Sequence, residues 1–524
     1  MKKVKFPLLL SFLFLTSCND TVENSSLQQE QTSYYENPAK EMPILGPQMT
    51  VISYFYNPSD KIHVTVKGVD YNDWVGIYSK DKEPGEGTES IVWTYTHTDG
   101  TYDFSASSLG GYGEYYIYLC DNNQYDVYQK RDVYIKDPKD TNDYQIKSAK
   151  FIANKENGVS NMKIEVTPSS TKELTYVVYW TENGIRLPDY TALKKINVKD
   201  SNKFEIELND CLFIPEAANG IEISVLQGNS NPYYIEIDES FKRYKSDYLY
   251  SFQVISDLHI QDWFPKHISH LKMALTEIPY ISSNSKAIFT TGDNVNRTTK
   301  EEYTLLSNII YKYKDKIPNI YYSMGNHDYM YLSSFETATS QFLEQTKMDS
   351  TYYSVEIENN KFIVLASDEA QMEGVMGKTQ IEWLKNQLKN TNKNDSVFIF
   401  MHQPLKDTVS GSLKTEMNQN WYGFRNNGDE IKEIINQYPN AVVFSGHTHW
   451  TLDSYQPALY GNKQSATYVN CASLGYLWND DDKEEIGSEG IYVDVYKDYV
   501  LIKGREFLDK KWVSAAQFLF PKAK

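Results

Sequence analysis

Short runs in which apolar and polar residues alternate fill the first half of the sequence. Between about 43 and 137 such runs lie at 61–66 and 114–119, and turn-forming clusters such as 83–85 separate them. A period of two that is interrupted by turns predicts the antiparallel strands of a β-sandwich. Residues 143–240 repeat the pattern. We therefore predict two all-β sandwiches, at 43–137 and 143–240, joined by a short polar linker.

The periodicity changes after about residue 246, where helical patterns alternate with short apolar runs. Residues 381, 384 and 388 fall on one helical face, and 301–316 predicts a second helix that ends before Pro318. Alternating strands and helices predict an α/β catalytic domain, which we place at 246–515.

The amino terminus has the pattern of an export signal. Lysines at 2, 3 and 5 precede an apolar run at 6–15, which is about half of the roughly 20 residues that a membrane-spanning helix needs. The run ends in Leu-Thr-Ser-Cys18, which resembles the lipobox of bacterial lipoproteins. The resemblance implies a signal peptide at 1–17 and a lipidated Cys18 that anchors the protein outside the cytoplasm, on the periplasmic side or the cell surface. The polar stretch 18–42 is predicted to be a flexible tether.

Charge and cysteine content narrow the possible partners. The 524 residues include 70 acidic and 52 basic side chains, a net charge of −18, so no binding to nucleic-acid duplexes is expected. The cysteines beyond position 18 are Cys120, Cys211 and Cys471, with no C-x-x-C spacing. We predict that they are buried as small hydrophobic residues, and a single disulfide stays open.

Five apolar runs in the α/β region each end in side chains that can bind metals. These are Asp257 with His259, then Asp293, then Asn326 with His327 and Asp328, then His402, and then His447 with His449. Ligands gather at the carboxyl ends of strands in open α/β sheets, so the five clusters can converge on one site. His267 and His270 stand at i, i+3 spacing in a predicted helix, and we interpret them as surface or groove residues rather than ligands.

In chain order these clusters read Asp-x-His, Gly-Asp, Gly-Asn-His-Asp, His and Gly-His-x-His. The set resembles the calcineurin-like metallophosphoesterase family over roughly 248–507. This resemblance implies a four-layer α/β/β/α sandwich and a dinuclear enzyme in which a hydroxide activated by two metals cleaves phosphomonoesters or phosphodiesters. The stretches 73–78 and 91–93, with the Tyr-rich run before Cys120, resemble the SKICH-like immunoglobulin-type fold.

The family pattern also implies a role for each matching residue. It implies one metal ion held by Asp257, His259 and His449, a second held by Asn326, His402 and His447, and Asp293 as the bridge. Oxygen and imidazole ligands without thiolates suit Fe, Mn or Zn. His327 is implied to act beside the leaving group, with Asp328 orienting it. Purple acid phosphatases carry a Tyr at the position of Asn296, so the resemblance implies a colourless enzyme here.

Substrate choice is expected to come from loops at the same strand ends. The candidates are Trp263, Arg297, Tyr329, Trp450 and the insertion 405–427 with Trp421 and Arg425. The sequence leaves the physiological phosphoester, the oligomeric state and the role of the β-sandwiches open. The alternative hypothesis is a surface binding or adhesion lipoprotein in which the metal domain is vestigial.

Overall fold

The computed structural model of the protein describes residues 46–522 apart from 86, 123–124, 157–158, 243–245, 333, 394, 415–422 and 425–426. The predicted signal peptide, Cys18 and the whole tether lie outside the described residues. The first region is built from β-strands and a short 3-10 helix at Ala106–Leu109. Its strands are β1 (Gln48–Val51), β2 (Phe55–Tyr56), β3 (Lys61–Lys67), β4 (Trp74–Ser79), β5 (Val92–Tyr95), β6 (Gly100–Ser105), β7 (Gly113–Cys120) and β8 (Val127–Ile135).

These strands form two sheets, ordered β1-β3-β6 and β2-β8-β7-β4-β5. In β3 the burial alternates along the strand, because Ile62, Val64 and Val66 face the opposite sheet and the residues between them face outward. Val75 and Ile77 of β4 complete this core from the other sheet. The alternation visible in the sequence therefore corresponds to the inner faces of a sandwich.

A second β region follows the linker. Its strands are β9 (Ile146–Glu156), β10 (Val159–Pro168), β11 (Leu174–Glu182), β12 (Ile185–Arg186), β13 (Lys194–Val198), β14 (Phe204–Glu207), β15 (Gly220–Val225) and β16 (Tyr233–Glu236). They form one sheet ordered β14-β10-β9 and another ordered β12-β11-β15-β16, with β13 also paired to β11. A 3-10 helix at Glu239–Lys242 leads out of this region.

The rest of the chain mixes strands and helices. The strands are β17 (Tyr248–Ile255), β18 (Ser285–Thr290), β19 (Ile320–Tyr321), β20 (Tyr353–Ile357), β21 (Asn360–Val364), β22 (Val397–Met401), β23 (Ala441–Ser445), β24 (Ala458–Leu459), β25 (Thr467–Asn470), β26 (Leu477–Trp478), β27 (Glu484–Glu485), β28 (Glu489–Tyr496), β29 (Tyr499–Glu506) and β30 (Lys511–Pro521). The helices are α1 (Pro265–Ile281), α2 (Lys300–Tyr311), α3 (Phe335–Thr346), α4 (Lys378–Lys389) and α5 (Gly428–Asn436), with a 3-10 helix at Asn326–Asp328. Helix α2 ends at Tyr311, five residues earlier than the sequence pattern predicts, and turns cover the remainder up to Pro318.

Two six-stranded sheets pack face to face in this region. Their orders are β19-β18-β17-β28-β29-β30 and β20-β21-β22-β23-β25-β24. Aromatic side chains fill the interface, with the Phe252 ring 4.8 Å from that of Phe398 and the Phe289 ring stacked 4.1 Å from that of Phe400. Helix α1 covers the outer face of the first sheet, and α4 covers that of the second. This arrangement confirms the predicted fold class, two β-rich regions followed by a four-layer α/β/β/α sandwich.

The β regions pack directly on the α/β region, and the described residues belong to one compact unit. Lys130 of β8 donates its backbone N–H to Leu508, and Phe213 donates to Gln517 of β30. The domain boundaries drawn from the sequence stay predictions. Within the described part of the chain, no helix is long and apolar enough to span a bilayer.

The three cysteines that the structure describes are buried, which confirms their predicted role as small hydrophobic residues. Cys471 lies in the core between the two six-stranded sheets, as does Cys211. Cys120 belongs to a separate aromatic cluster on the first β region.

Candidate metal centre

The parallel strands of the two six-stranded sheets place the predicted metal ligands at their carboxyl ends. Strands β17, β18 and β19 run parallel in one sheet, and β22 and β23 run parallel in the other. Asp257 follows β17, Asp293 follows β18, His402 follows β22 and His447 follows β23. The two sheets face each other, so these ends open towards one site.

The backbone at this site is unusual. Five of the predicted ligands have positive φ angles between 44° and 70°: Asp257, His259, Asp293, His447 and His449. A left-handed backbone at a residue with a side chain costs about 1–3 kcal/mol, and such residues concentrate at functional sites. The left-handed conformation turns the polypeptide sharply after each of these strands.

The first group of side chains consists of Asp257, His259, Asp293 and His449, all buried. One ligand atom from each lies within 4.8 Å of the others. Nε2 of His449 is 3.0 Å from Oδ1 of Asp257, and Nε2 of His259 is 3.7 Å from Oδ2 of Asp293. The two imidazoles point their Nε2 atoms at each other over 3.2 Å.

The second group consists of Asp293, His402 and His447, also buried. Nε2 of His402 is 3.2 Å from Oδ2 of Asp293 and 3.2 Å from Nδ1 of His447. The amide Oδ1 of Asn326 lies 2.8 Å from the same nitrogen of His402. Asp293 therefore belongs to both groups.

Hydrogen bonds on the far side of the imidazoles fix which nitrogen faces the site. Nδ1 of His402 is 2.8 Å from the carbonyl oxygen of Thr291, and Nδ1 of His449 is 3.0 Å from that of Tyr476. A carbonyl oxygen only accepts, so both Nδ1 atoms carry a proton and both Nε2 atoms face the site, where a metal ion would be coordinated. Oδ1 of Asn296 lies 3.3 Å from Nδ1 of His259.

Glycines next to the ligands allow the strand ends to approach closely. A Cβ atom at Gly446 would overlap the carboxylate of Asp257, and one at Gly325 would overlap that of Asp293. The Gly-His and Gly-Asn steps of the sequence pattern are therefore required by space.

The charges of the site depend on one another. Burial opposes the ionisation of Asp257, but His449 and His402 beside it lower its pKa to about 2. Burial likewise opposes the ionisation of Asp293, yet His402 and His327 hold its pKa well below the usual range. Burial alone would lower the pKa of His402, but Asp293 raises it to about 9. Both carboxylates thus stay ionised, and their ion pairs among the described residues are all with histidines.

The donor set fits divalent metal ions. Converging carboxylate oxygens, imidazole nitrogens and an amide oxygen, without thiolates, suit Fe, Mn or Zn. A cation among these groups would replace the unfavourable approach of lone pairs with coordination bonds.

His327 stands at the mouth of the site. Its Nδ1 lies 2.7 Å from the carbonyl oxygen of Asn296, and its ring is 4.5 Å from that of His259. Its backbone N–H donates to Oδ1 of Asp293 over 2.8 Å. The ring is partly exposed.

Asp328 contacts other groups than the ring of His327, which it was expected to orient. Its carboxylate accepts hydrogen bonds from the backbone of Gly325 at 2.9 Å and from the hydroxyl of Tyr303 at 2.8 Å. It also accepts from the backbone and side chain of Asn294. Burial, with Asp293 nearby, raises the pKa of Asp328 to about 6. The Asn296 carbonyl orients His327, and Asp328 holds together the loops that carry Asp293 and Asn326.

The interpretation of His267 and His270 as surface or groove residues is wrong, because helix α1 packs on the sheet with both imidazoles inward. They are 4% and 3% exposed. Nδ1 of His267 is 2.9 Å from the carbonyl oxygen of His259, and Nδ1 of His270 is 2.7 Å from that of Leu474. Among the described residues neither belongs to a group that could hold a metal.

The expected substrate-contacting residues occupy different environments. The guanidinium of Arg297 lies 3.5 Å from the ring of Trp263, and Trp263 is 55% exposed. Nε of Arg297 is also 3.2 Å from Oε1 of Glu302. Tyr329 and Trp450 are buried, so neither offers a free surface at the mouth. Trp421 and Arg425 lie outside the described residues.

Two tyrosines at the mouth were missed from the sequence. The ring of Tyr476 is 4.2 Å from that of His449, and the ring of Tyr331 is 5.4 Å from that of His327. Tyr331 is 52% exposed. It follows the Gly-Asn-His-Asp block by three residues, a spacing that could have marked it, whereas no pattern in the sequence marks Tyr476.

Comparison with known proteins agrees with this geometry. Residues 250–451 match the family model described as calcineurin-like phosphoesterase, which confirms the resemblance seen in the sequence. Residues 250–451 therefore resemble a calcineurin-like phosphoesterase domain, and the acidic and histidine groups in this region support a metal-dependent phosphoesterase. None of the curated proteins compared with the sequence matches it.

Several solved structures are similar in fold. A purple acid phosphatase from yellow lupin (Lupinus luteus) is 10% identical with a TM-score of 0.39, over 91% of this chain and 96% of the other. Vacuolar protein sorting 29 from Cryptosporidium parvum is 12% identical with a TM-score of 0.27, over 53% of this chain and 100% of the other. A phosphopantetheinyl hydrolase from Mycobacterium tuberculosis is 12% identical with a TM-score of 0.29, over 43% and 89%. At these scores the likenesses carry no argument about function.

Proposed function

We propose that the protein hydrolyses phosphomonoesters or phosphodiesters at a centre of two metal ions. The ions would be held by Asp257, His259 and His449 on one side and by Asn326, His402 and His447 on the other, with Asp293 between them. The observation that carries the proposal is the membership of Asp293 in both groups of potential ligands. Two such ions supply Lewis-acid polarisation of the phosphoryl oxygens and an activated water as nucleophile.

The chain's own residues prepare the site for this reaction. The hydrogen bonds from Nδ1 of His402 and Nδ1 of His449 to backbone carbonyls hold both Nε2 atoms towards the centre. These two imidazoles are therefore already oriented for an ion to bind. Nδ1 of the partly exposed His327 donates to the carbonyl of Asn296, which leaves Nε2 facing the leaving oxygen, and in the imidazolium form the Nε2 proton would pass to that oxygen. Tyr331 and Tyr476 supply the walls beside it.

Hydrolysis of 4-nitrophenyl phosphate and bis(4-nitrophenyl) phosphate, measured together with metal content, tests the proposal. Asp293→Ala is expected to lower turnover of the preferred ester by about 10³-fold or more, because both ions lose a ligand. The same substitution at exposed Asp315, on the turn after α2, serves as the matched control and should leave turnover unchanged. Turnover by Asp293→Ala at the wild-type level would contradict the proposal, and the ratio of the two wild-type rates decides between monoesters and diesters.

We further propose that the enzyme is tethered to a bacterial membrane from outside the cytoplasm through lipidated Cys18. The support is the Lys-rich start, the apolar run and the Leu-Thr-Ser-Cys sequence. Expression of the full chain with a radiolabelled fatty acid should label the wild type and leave Cys18→Ser unlabelled. Equal labelling of the two, or none of either, would contradict the anchor while leaving the phosphoesterase assignment untouched.

A further inference from the structure

A cavity of about 470 Å³ opens on the first β region, away from the metal ligands. Its walls include five aromatic side chains, from Trp74, Tyr78, Trp93, Tyr95 and Tyr125. Its volume falls within the range of about 300–1,000 Å³ found for small-molecule sites. Neither the phosphoesterase reaction nor the packing of the sandwich core uses this feature.

The cavity lies on the outer face of the sheet β2-β8-β7-β4-β5. Trp74 and Tyr78 alternate along β4 with Val75 and Ile77, which point into the sandwich core instead. Part of this aromatic face is covered by Leu508 of the catalytic region. The part next to the edge strand β5 is left open.

Gly76 makes room for the rings that form the floor. A Cβ atom there would stand 2.7 Å from Cζ3 of Trp74 and 3.1 Å from Cε2 of Tyr78. Trp93 is directly opposite Gly76 on the neighbouring strand and is 54% exposed. The absence of a side chain at Gly76 thus lets the rings of Trp74 and Tyr78 close over the strand beside the exposed indole.

The rings form two perpendicular pairs. Trp93 and Tyr95 meet edge to face at 5.1 Å and 89°, and Trp74 and Tyr125 do so at 6.3 Å and 88°. Aromatic walls at right angles present negative ring faces from more than one direction to a guest between them.

The polar groups of the cavity add negative charge. Of the described residues that line it, Glu89 alone is charged, and it forms no ion pair with another described residue. Hydroxyl groups of Thr88, Ser90 and the tyrosines also line the cavity. Glu89 therefore supplies a negative charge beside the rings.

We propose that this cavity binds a small soluble organic cation with a quaternary ammonium group, held between the aromatic rings and neutralised by Glu89. Ring faces attract such cations by their quadrupole, and a carboxylate adds a direct charge pair. An anion is disfavoured by both. The site is independent of the proposed phosphoesterase centre.

The test is titration of the full-length protein with choline, followed by calorimetry and by tryptophan fluorescence. The matched ligand is 3,3-dimethylbutan-1-ol, which has the shape of choline without its charge. Choline is expected to bind at least about tenfold more tightly than this neutral alcohol, since the charge supplies most of the attraction. Equal affinities, no choline binding, or a preference for a neutral disaccharide would overturn the proposal.

Three variants locate the site. Trp93→Ala and Tyr125→Ala should each weaken choline binding by at least about twofold. Glu89→Gln should weaken it by about two- to fivefold. All three side chains are at least partly exposed, so folding should survive. Tyr234→Ala, at a tyrosine that is 51% exposed in the second β region, is the control and should bind as wild type. Unchanged binding by both Trp93→Ala and Tyr125→Ala would contradict the placement, whereas Asp293→Ala should leave choline binding intact.

Discussion

Two regions of the protein bury several ionisable side chains, and they do so in opposite ways. Where β29 faces helix α1, Arg505 is 1% exposed and makes a two-pronged pair with Glu277, at 3.0 Å from Nε and 2.8 Å from Nη2. In the proposed metal centre, Asp257 and Asp293 are equally buried, but their ion pairs among the described residues are all with imidazoles. The first region balances its charges within the protein. The second brings together carboxylates and imidazoles that can coordinate a cation.

This contrast distinguishes a buried charge cluster that stabilises the fold from one that binds a ligand. A buried charge that already has a well-aligned opposite charge has nothing to gain from a ligand. Facing Nε2 atoms of His259 and His449, 3.2 Å apart and held there by their outer hydrogen bonds, gain from any ion that enters. The backbone differs as well, because Asp257 and His449 have left-handed φ angles while Glu277 lies in a regular helix.

The largest expected effect is on catalysis. Asp257→Asn should lower phosphoester turnover by about 10³-fold, because the neutral amide is a much poorer ligand than a carboxylate. In chelator-treated protein the same variant should lower the free energy of unfolding by no more than about 2 kcal/mol, the part that the lowered pKa of the carboxylate contributes, since the amide oxygen can still accept from the backbone of His447. A loss of stability as large as the loss of activity, measured by urea unfolding, would show that the site is structural.

The reverse pattern is expected at the balanced pair. Glu277→Gln should lower the free energy of unfolding by about 3–5 kcal/mol, because Arg505 would be left buried without an opposite charge. The metal content of the folded protein should stay at the wild-type level. Glu301→Gln, at an exposed position in α2, is the matched control and should stay within about 0.5 kcal/mol of wild type. If both variants behaved alike in urea, the balance described for this pair would be wrong.

A third buried group, His270, tests the sign of a pH effect. Burial lowers its pKa to about 4, whereas an unfolded histidine titrates near 6.5. The unfolded chain therefore binds more protons between these values, so stability falls as the pH drops from about 6.5 to 4, by up to about 3 kcal/mol from this residue. His270→Asn, whose amide can still donate to Leu474, should remove that part of the slope when urea unfolding is compared at pH 7 and pH 5. An unaltered slope would rule His270 out as its source.

The smallest of these effects is stabilisation by the metal itself. Adding Mn²⁺ or Zn²⁺ to chelated wild type should stabilise it by about 3 kcal/mol at a hundredfold excess over the dissociation constant. Asp293→Ala should respond much less, and Asp315→Ala should respond as wild type. A rise in melting temperature that is the same in all three proteins would place the ions elsewhere.

The sequence predicted most of the centre because its information is local to each strand end. An apolar run followed by Asp-x-His or Gly-His-x-His fixes both a strand and the side chains at its carboxyl end, and parallel pairing brings those ends together. The same logic gave the alternation of β3 and the helix around Leu384. No local sequence pattern predicted the left-handed backbone at Asp257 or the burial of His270.

Contacts between segments that are far apart in the sequence could not be predicted, because no local pattern records them. Arg505 and Glu277 are 228 residues apart and belong to no motif. Tyr476 reaches the mouth of the site through a loop whose course depends on packing. The aromatic cavity needs Trp93 opposite Gly76, a register that only the paired strands reveal.

Anomalous X-ray diffraction from crystals grown with Mn²⁺ or Zn²⁺ tests the central claim most directly. We expect two peaks about 3.5–4 Å apart, one beside Asp257, His259 and His449 and one beside Asn326, His402 and His447, with Asp293 between them. A single peak, peaks away from these side chains, or none at full metal saturation would contradict a two-metal centre.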